Sequence, residues 1–128
     1  PIREAWTRQI DLIAIDDERD AITDNGQETY NLLAQHDINN IILMGVHLNM
    51  CVLGRPVGIR QMVTVGKNVV LMRDMTDTMY NPKKRPFVSH FEGTDLIVKH
   101  VEKFWCPSIT SSAITGKAPF RFKNDPRK

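Results

Sequence analysis

The sequence has only two cysteines, Cys51 and Cys106, among 128 residues. That count excludes a disulfide scaffold and makes a reduced, cytosolic-type protein the default, so a cytoplasmic location is expected. Four histidines, His36, His47, His90 and His100, are scattered, and no Cys/His cluster has zinc spacing. No metal and no cofactor are expected. Charge of one sign is also lacking. The formal net charge is +2, which predicts neither a nucleic-acid partner nor a membrane surface. Basic residues gather only at Lys83-Lys84-Arg85, read as a solvated run, and between Arg121 and Lys128. No apolar run approaches the ~20 residues of a membrane span. The opening Pro-Ile-Arg-Glu-Ala-Trp has no charged head or apolar stretch of a signal peptide.

Hydrophobic residues make up 41% and charged residues 25%, the composition of one globular domain with a real core. The chain is organised around Asn40 to Arg60. Ile41 to Val46 is a short branched apolar run that reads as a strand buried on both faces. A glycine, a histidine, an asparagine and a cysteine follow within a few residues, and then an amphipathic helix to about Val65. A strand that feeds a helix through a tight turn puts that turn at the carboxyl edge of a sheet, where open α/β folds bind ligands. Cys51 falls where the new helix starts, a position whose free N–H groups and dipole favour a thiolate and can face an oxyanion.

In chain order, an entering loop with Trp6 and Arg8 precedes a strand at Ile10–Ile15 and an acidic turn at 16–20. Thr23, Asp24 and Asn25 are candidate caps of a helix running to about His36, with Glu28 placed for a capping-box-like pairing with Asn25. After Cys51, a bend leads to a regular helix from about Pro56, which Gly66 terminates. Val69 to Met72 is a second buried strand, and Asp74 to Pro86 a long polar loop. Phe87 to Phe104 reads as a helix that Pro107 ends, despite the cost of Gly93, about 1 kcal/mol against alanine. Ser108 to Thr115 is a last strand. This alternation predicts an α/β, Rossmann-like three-layer domain over 1–115, with a mostly parallel sheet covered on both faces and a loosely held polar tail at 116–128.

The candidate chemistry has competing readings. Cys51 is a nucleophile or a buried small residue. His47 is a base, a turn residue or a peptide N–H donor, the side-chain base being the least favoured. Asn49 touches substrate or, in preference, caps the helix. Asp74 and Asp77 face the site or cap a loop. Arg55 and Arg60 read as a solvated helix face, with anion binding as the alternative. Cys106, between Trp105 and Pro107, reads as packing.

Gly45-Val-His-Leu-Asn-Met-Cys-Val52 closely resembles the nucleophile turn of the isochorismatase-like cysteine hydrolases, a superfamily that includes nicotinamidases and N-carbamoylsarcosine amidases. The likeness continues through Gly66-Lys-Asn-Val-Val, Asp74-Met-Thr-Asp-Thr and a downstream Ser-His-Phe-x-Gly-Thr-Asp, here Ser89 to Asp95. It implies hydrolysis of a C–N bond in a small amide, with Cys51 as nucleophile and acyl carrier. The N–H groups of His47 and Cys51 would be the oxyanion donors, and the Val46–His47 peptide would be cis. Asn49 and Asp74 are the candidate substrate-binding residues from the reading above, and no metal is implied. Where the family usually has threonine this chain has Leu48, and no lysine precedes Lys67. The family's catalytic aspartate and lysine lie upstream of the matched region. The likeness therefore implies the carboxyl portion of the fold without its first strands, completed by an upstream segment or a homo-oligomer. The alternative is a non-catalytic binding module or inactive fragment that keeps the turn.

Overall fold

The computed structural model describes residues 8–127; the expected entering loop with Trp6 lies outside them. The chain runs through helix α1 (Gly26–Gln35), strand β1 (Asn40–Val46), a π turn (Leu48–Val52), helix α2 (Ile59–Thr64), strand β2 (Asn68–Asp77), helix α3 (His90–Phe104), strand β3 (Ser108–Ile109) and the single turn α4 (Ser112–Thr115). The strands form one open parallel sheet in the order β1-β2-β3. The fold is mixed α/β and compatible with Rossmann-like winding. Among the described residues no helix is long and apolar enough to cross a membrane.

Local chemistry sets the helix ends. The Asn25 side chain accepts from the N–H groups of Gln27 and Glu28 and so starts α1. The Glu28 side chain turns instead to the Thr23 hydroxyl, so only the Asn25 half of the expected pairing is made. At the end of α2, Gly66 takes φ +81, its N–H reaches Val63 O, and Lys67 N–H reaches Met62 O, both at 3.0 Å. This is a Schellman closure, which needs a residue at ease in the left-handed region. Helix α2 is shorter than expected because residues 55–58 form a separate turn closed by Gly58 N–H on Arg55 O. Helix α3 begins after Ser89, which forms a reciprocal capping box with Glu92. Phe87 has φ +63 and lies outside the helix.

The main apolar cluster lies on one sheet face, while Met72, next to Leu71 in β2 and so on the other face, is 2% exposed. Ile59 and Met62 of α2 and Val98 and Val101 of α3 share a cluster with Val69 and Leu71 of β2, while Leu33, Ile41 and Leu43 pack against it. Burial of each fully buried member of the cluster contributes about 1.5–3 kcal/mol. Successive right-handed crossovers advancing the same way across a sheet set their helices on the same face. Side chains alternate along β1, so Ile42, Met44 and Val46 point the other way, and all three are exposed. The expected three-layer cover and two-faced burial of β1 are therefore not found.

Three further expectations are corrected. Ile10–Ile15 forms turns and irregular backbone rather than a strand, with Leu12 89% exposed, because no neighbouring strand takes its hydrogen bonds. The last strand is only Ser108–Ile109, after which the chain coils into α4. The tail is strapped down rather than loose. Asp74 accepts from Ser111 N–H at 2.8 Å and Phe120 N–H at 2.9 Å, and Arg127 donates to Asp95 at 2.6 Å and to Phe91 O at 3.2 Å.

Strand β2 also continues to Asp77, into what reads as loop. Its register against β1 slips on the way. Leu43 faces Leu71, but Gly45 faces Thr76, so two steps along β1 correspond to five along β2. Asp74 sits within this bulge, and bulges re-aim side chains. After it the strands re-pair at Val46 and Asp77, which brings the end of β2 beside the turn that carries Cys51.

Candidate active site

Strand β1 ends at Val46, and the Val46–His47 peptide is cis, as the resemblance implied. His47 is extended, and its carbonyl accepts from Met50 N–H at 3.0 Å and Val52 N–H at 3.2 Å. The second bond spans five residues and makes the segment a π turn, a form frequent at functional sites. Leu48 and Val52 are buried in the core and hold the turn from below. Leu48 thus supplies an apolar anchor at the base of the turn.

Cys51 is half-buried and free, and it shares a shallow groove with Met50, Gly54 and Arg55. It is the fourth residue of a five-residue turn, and regular helix resumes only at Ile59. The expected turn and bend precede the regular helix, so Cys51 does not stand at a regular helix start and the dipole contribution read from sequence is small here. Among the described residues no hydrogen bond reaches the Cys51 sulfur. Cys106 is 6% exposed beside Leu71 in the core. Burial pushes its thiol up from the ordinary value, against a smaller lowering by the Leu71 backbone.

The other expected site residues divide. Asn49 does not cap a helix; its amide is bonded to the Met79 backbone in both directions. Asp74 spends its carboxylate on Ser111 and Phe120. Burial pushes that carboxyl up, but the bonds from the Ser111 side chain and backbone and from Phe120 outweigh it and hold it below the ordinary value. No hydrogen bond joins Asp74 to the Cys51 turn. Arg60 stacks over Trp105, its guanidinium 5.1 Å from the ring centre. Arg55 lines the groove, with only a 3.9 Å contact to the exposed Asp24. A larger open concavity between α1 and α2, lined by Gly26, Tyr30, Pro56 and Thr64, includes none of these residues.

Beside the turn lies a polar cluster in which Asp77 alone was a candidate from sequence; the role of His90 was missed. His90 Nε2 is 2.7 Å from Asp77 Oδ1, and His90 Nδ1 is 2.9 Å from Tyr80 O. The Thr78 and Thr94 hydroxyls bond each other at 2.7 Å, and Thr94 also reaches Asp77. The Tyr80 hydroxyl donates to Lys84 O and lies 3.3 Å from Val88 N–H. A Cβ at Gly93 would come within 2.7 Å of the Tyr80 ring, which explains a glycine inside α3. The segment Ser89 to Asp95 thus divides its labour. Ser89 caps, His90 holds β2 and the loop, Gly93 admits Tyr80, Thr94 reaches Thr78, and Asp95 holds Arg127. The one available signal was a polar cap followed by histidine, glycine, threonine and aspartate at fixed offsets. With both nitrogens directed at acceptors, His90 has no lone pair to offer the Cys51 thiol.

Among the described residues no group of three His, Cys, Asp or Glu side chains is placed to hold a metal ion. No protein-family model, no curated protein and no solved structure matches this chain.

Proposed function

We propose that the chain is a cysteine hydrolase of the isochorismatase-like type that cleaves a C–N bond in a small amide. The observation that carries this reading is the placement of Cys51. A half-exposed thiol stands on a braced turn at the carboxyl end of a parallel strand, in a groove open to solvent. In the reaction the Cys51 sulfur attacks the amide carbonyl carbon and forms a C–S bond. The N–H groups of His47 and Cys51 receive the developing oxyanion. The C–N bond then breaks, and the leaving amine takes the proton given up by the thiol. Water cleaves the thioester, giving a carboxylic acid and the restored thiol.

A second reading is favoured by the absence of any hydrogen bond to the sulfur and by the engaged nitrogens of His90. It is a binding module that keeps the turn without turnover. The experiment is a screen of the full chain over small amides, following amine release, with Cys51→Ala alongside. Turnover abolished in Cys51→Ala, with an acyl adduct on Cys51 in mass spectrometry, supports the hydrolase. Turnover indifferent to Cys51→Ala overturns it, and small-molecule binding without turnover establishes the second reading.

A further inference from the structure

The His90 ring is held between two groups that can only accept. The Asp77 carboxylate faces Nε2 at 2.7 Å and the Tyr80 carbonyl faces Nδ1 at 2.9 Å. A neutral imidazole has one N–H and can satisfy only one of them. Both bonds exist together only when the ring is the imidazolium. Asp77 belongs to β2, Tyr80 to the loop after it, and His90 to the first turn of α3. The protonated ring therefore ties three segments at one point. One residue before Tyr80 is Met79, whose N–H and carbonyl are both bound by Asn49 of the Cys51 turn.

We propose that His90 is a proton-operated latch. As imidazolium it fixes the loop 78–89 against β2 and α3, and loss of its proton frees the Tyr80 carbonyl and loosens the Asn49–Met79 brace of the Cys51 turn. The neutral ring keeps its single N–H on the carboxylate, the stronger acceptor. Its other nitrogen then opposes a carbonyl oxygen with a lone pair, so the loop side gives way.

The surroundings of the ring support a cation. The Asp77 bond holds the imidazole above its ordinary value, against burial, with the Tyr80 carbonyl acting in the same direction as Asp77. Arg127 of the C-terminal segment is the opposing positive charge, and it is occupied by Asp95 and Asp125. The Tyr80 phenol is turned to Lys84 and Val88, and Glu92 is engaged with Ser89. A raised value for a histidine means that its stabilising contribution is full below the unfolded value, about 6.5. That contribution is lost as pH rises through the raised folded value. This inference does not depend on Cys51 being catalytic.

The test is an NMR titration of the full chain that reads the two ring nitrogens of His90 and the exchange of the Met79 amide. The Leu71 amide, bonded to Pro107 O in the sheet, is the internal reference. The expected result is a doubly protonated ring at pH 6, a midpoint above the ordinary histidine value, and a loss of Met79 protection at that midpoint that Leu71 does not share. In His90→Gln, Met79 should show no such step. A neutral ring at pH 6 overturns the proposal, as does a midpoint at or below the ordinary value. Met79 exchange that tracks Leu71 through the titration, or that is identical in His90→Gln, also overturns it. If His90→Gln fails to fold, the wild-type comparison of Met79 with Leu71 decides.

Discussion

Asn49 and Met79 bind each other twice: Met79 N–H donates to Asn49 Oδ1 at 2.9 Å, and Asn49 Nδ2 donates to Met79 O at 3.2 Å. The side-chain amide imitates a neighbouring strand and carries the pairing of β1 and β2 one step past their ends. Only an amide at position 49 offers both a donor and an acceptor in that geometry. Asn49→Ala should cost about 1 kcal/mol in chemical denaturation. Asn49→Asp should cost at least as much, because it sets a carboxylate oxygen against the Met79 carbonyl. Equal stability of wild type and Asn49→Asp would show that the brace contributes nothing.

The two thiols should separate in reactivity. Cys51 is half-buried in an open groove, whereas Cys106 lies in the core with its thiol pushed up by burial. The thiolate is the reacting form, so Cys106 is short of both access and ionisation at neutral pH. Iodoacetamide at pH 7, read by peptide mass spectrometry, should label Cys51 first and Cys106 only on unfolding. Equal or faster labelling of Cys106 would remove Cys51 as the reactive group.

Asp74 should act as a tail anchor whose effect is confined to acid. Its folded value lies below the ordinary one. The stability it supplies is therefore present above the unfolded value, about 3.9, and is lost as pH falls through the lower folded value. The Phe120 amide should stay protected from pH 7 to pH 5 and lose protection in stronger acid. Asp74→Ala should expose it at every pH and cost about 1–2 kcal/mol, discounted for partial exposure. Protection of Phe120 unchanged in Asp74→Ala would refute the anchor.

What could be read from sequence was local. Asn25 as a cap, Gly66 as a terminator, the end of α3 before Pro107, and the strands beginning at Asn40 and Asn68 rest on chemistry within a few residues. What could not be read depends on partners far along the chain. Asp74 finds Ser111 and Phe120 37 and 46 residues away, and His90 finds Asp77 13 residues back. Ile10–Ile15 and Ile41–Val46 look alike as apolar runs, yet only the second has β2 beside it. Strand preference is a statement about neighbours more than about the residues themselves. The Cys51 turn was legible as a turn, while its π geometry follows from Leu48 and Val52 both entering the core, which residue type alone does not announce.

The last expectation concerns the free side of β1. Its seven residues, Asn40 to Val46, carry no charge and no proline, and among the described residues only β2 pairs with them. Ile42, Met44 and Val46 are exposed on one face, and Ile10, Leu12 and Ile13 are exposed elsewhere. Natural edge strands are protected by lysine, proline, bulges or short length; the seven residues of β1 carry neither lysine nor proline, and the bulge against β2 lies on the paired side. The chain should therefore self-associate with rising concentration, measured by size-exclusion chromatography with light scattering. Met44→Lys puts a charge on the exposed face without touching the core and should shift the chain toward monomer. Ile114→Lys, which replaces an exposed apolar residue on α4 away from the strand, should leave association unchanged. A wild-type chain that is monomeric at every concentration would sink this expectation, as would equal effects of the two substitutions, because association would then follow general surface hydrophobicity rather than the β1 edge.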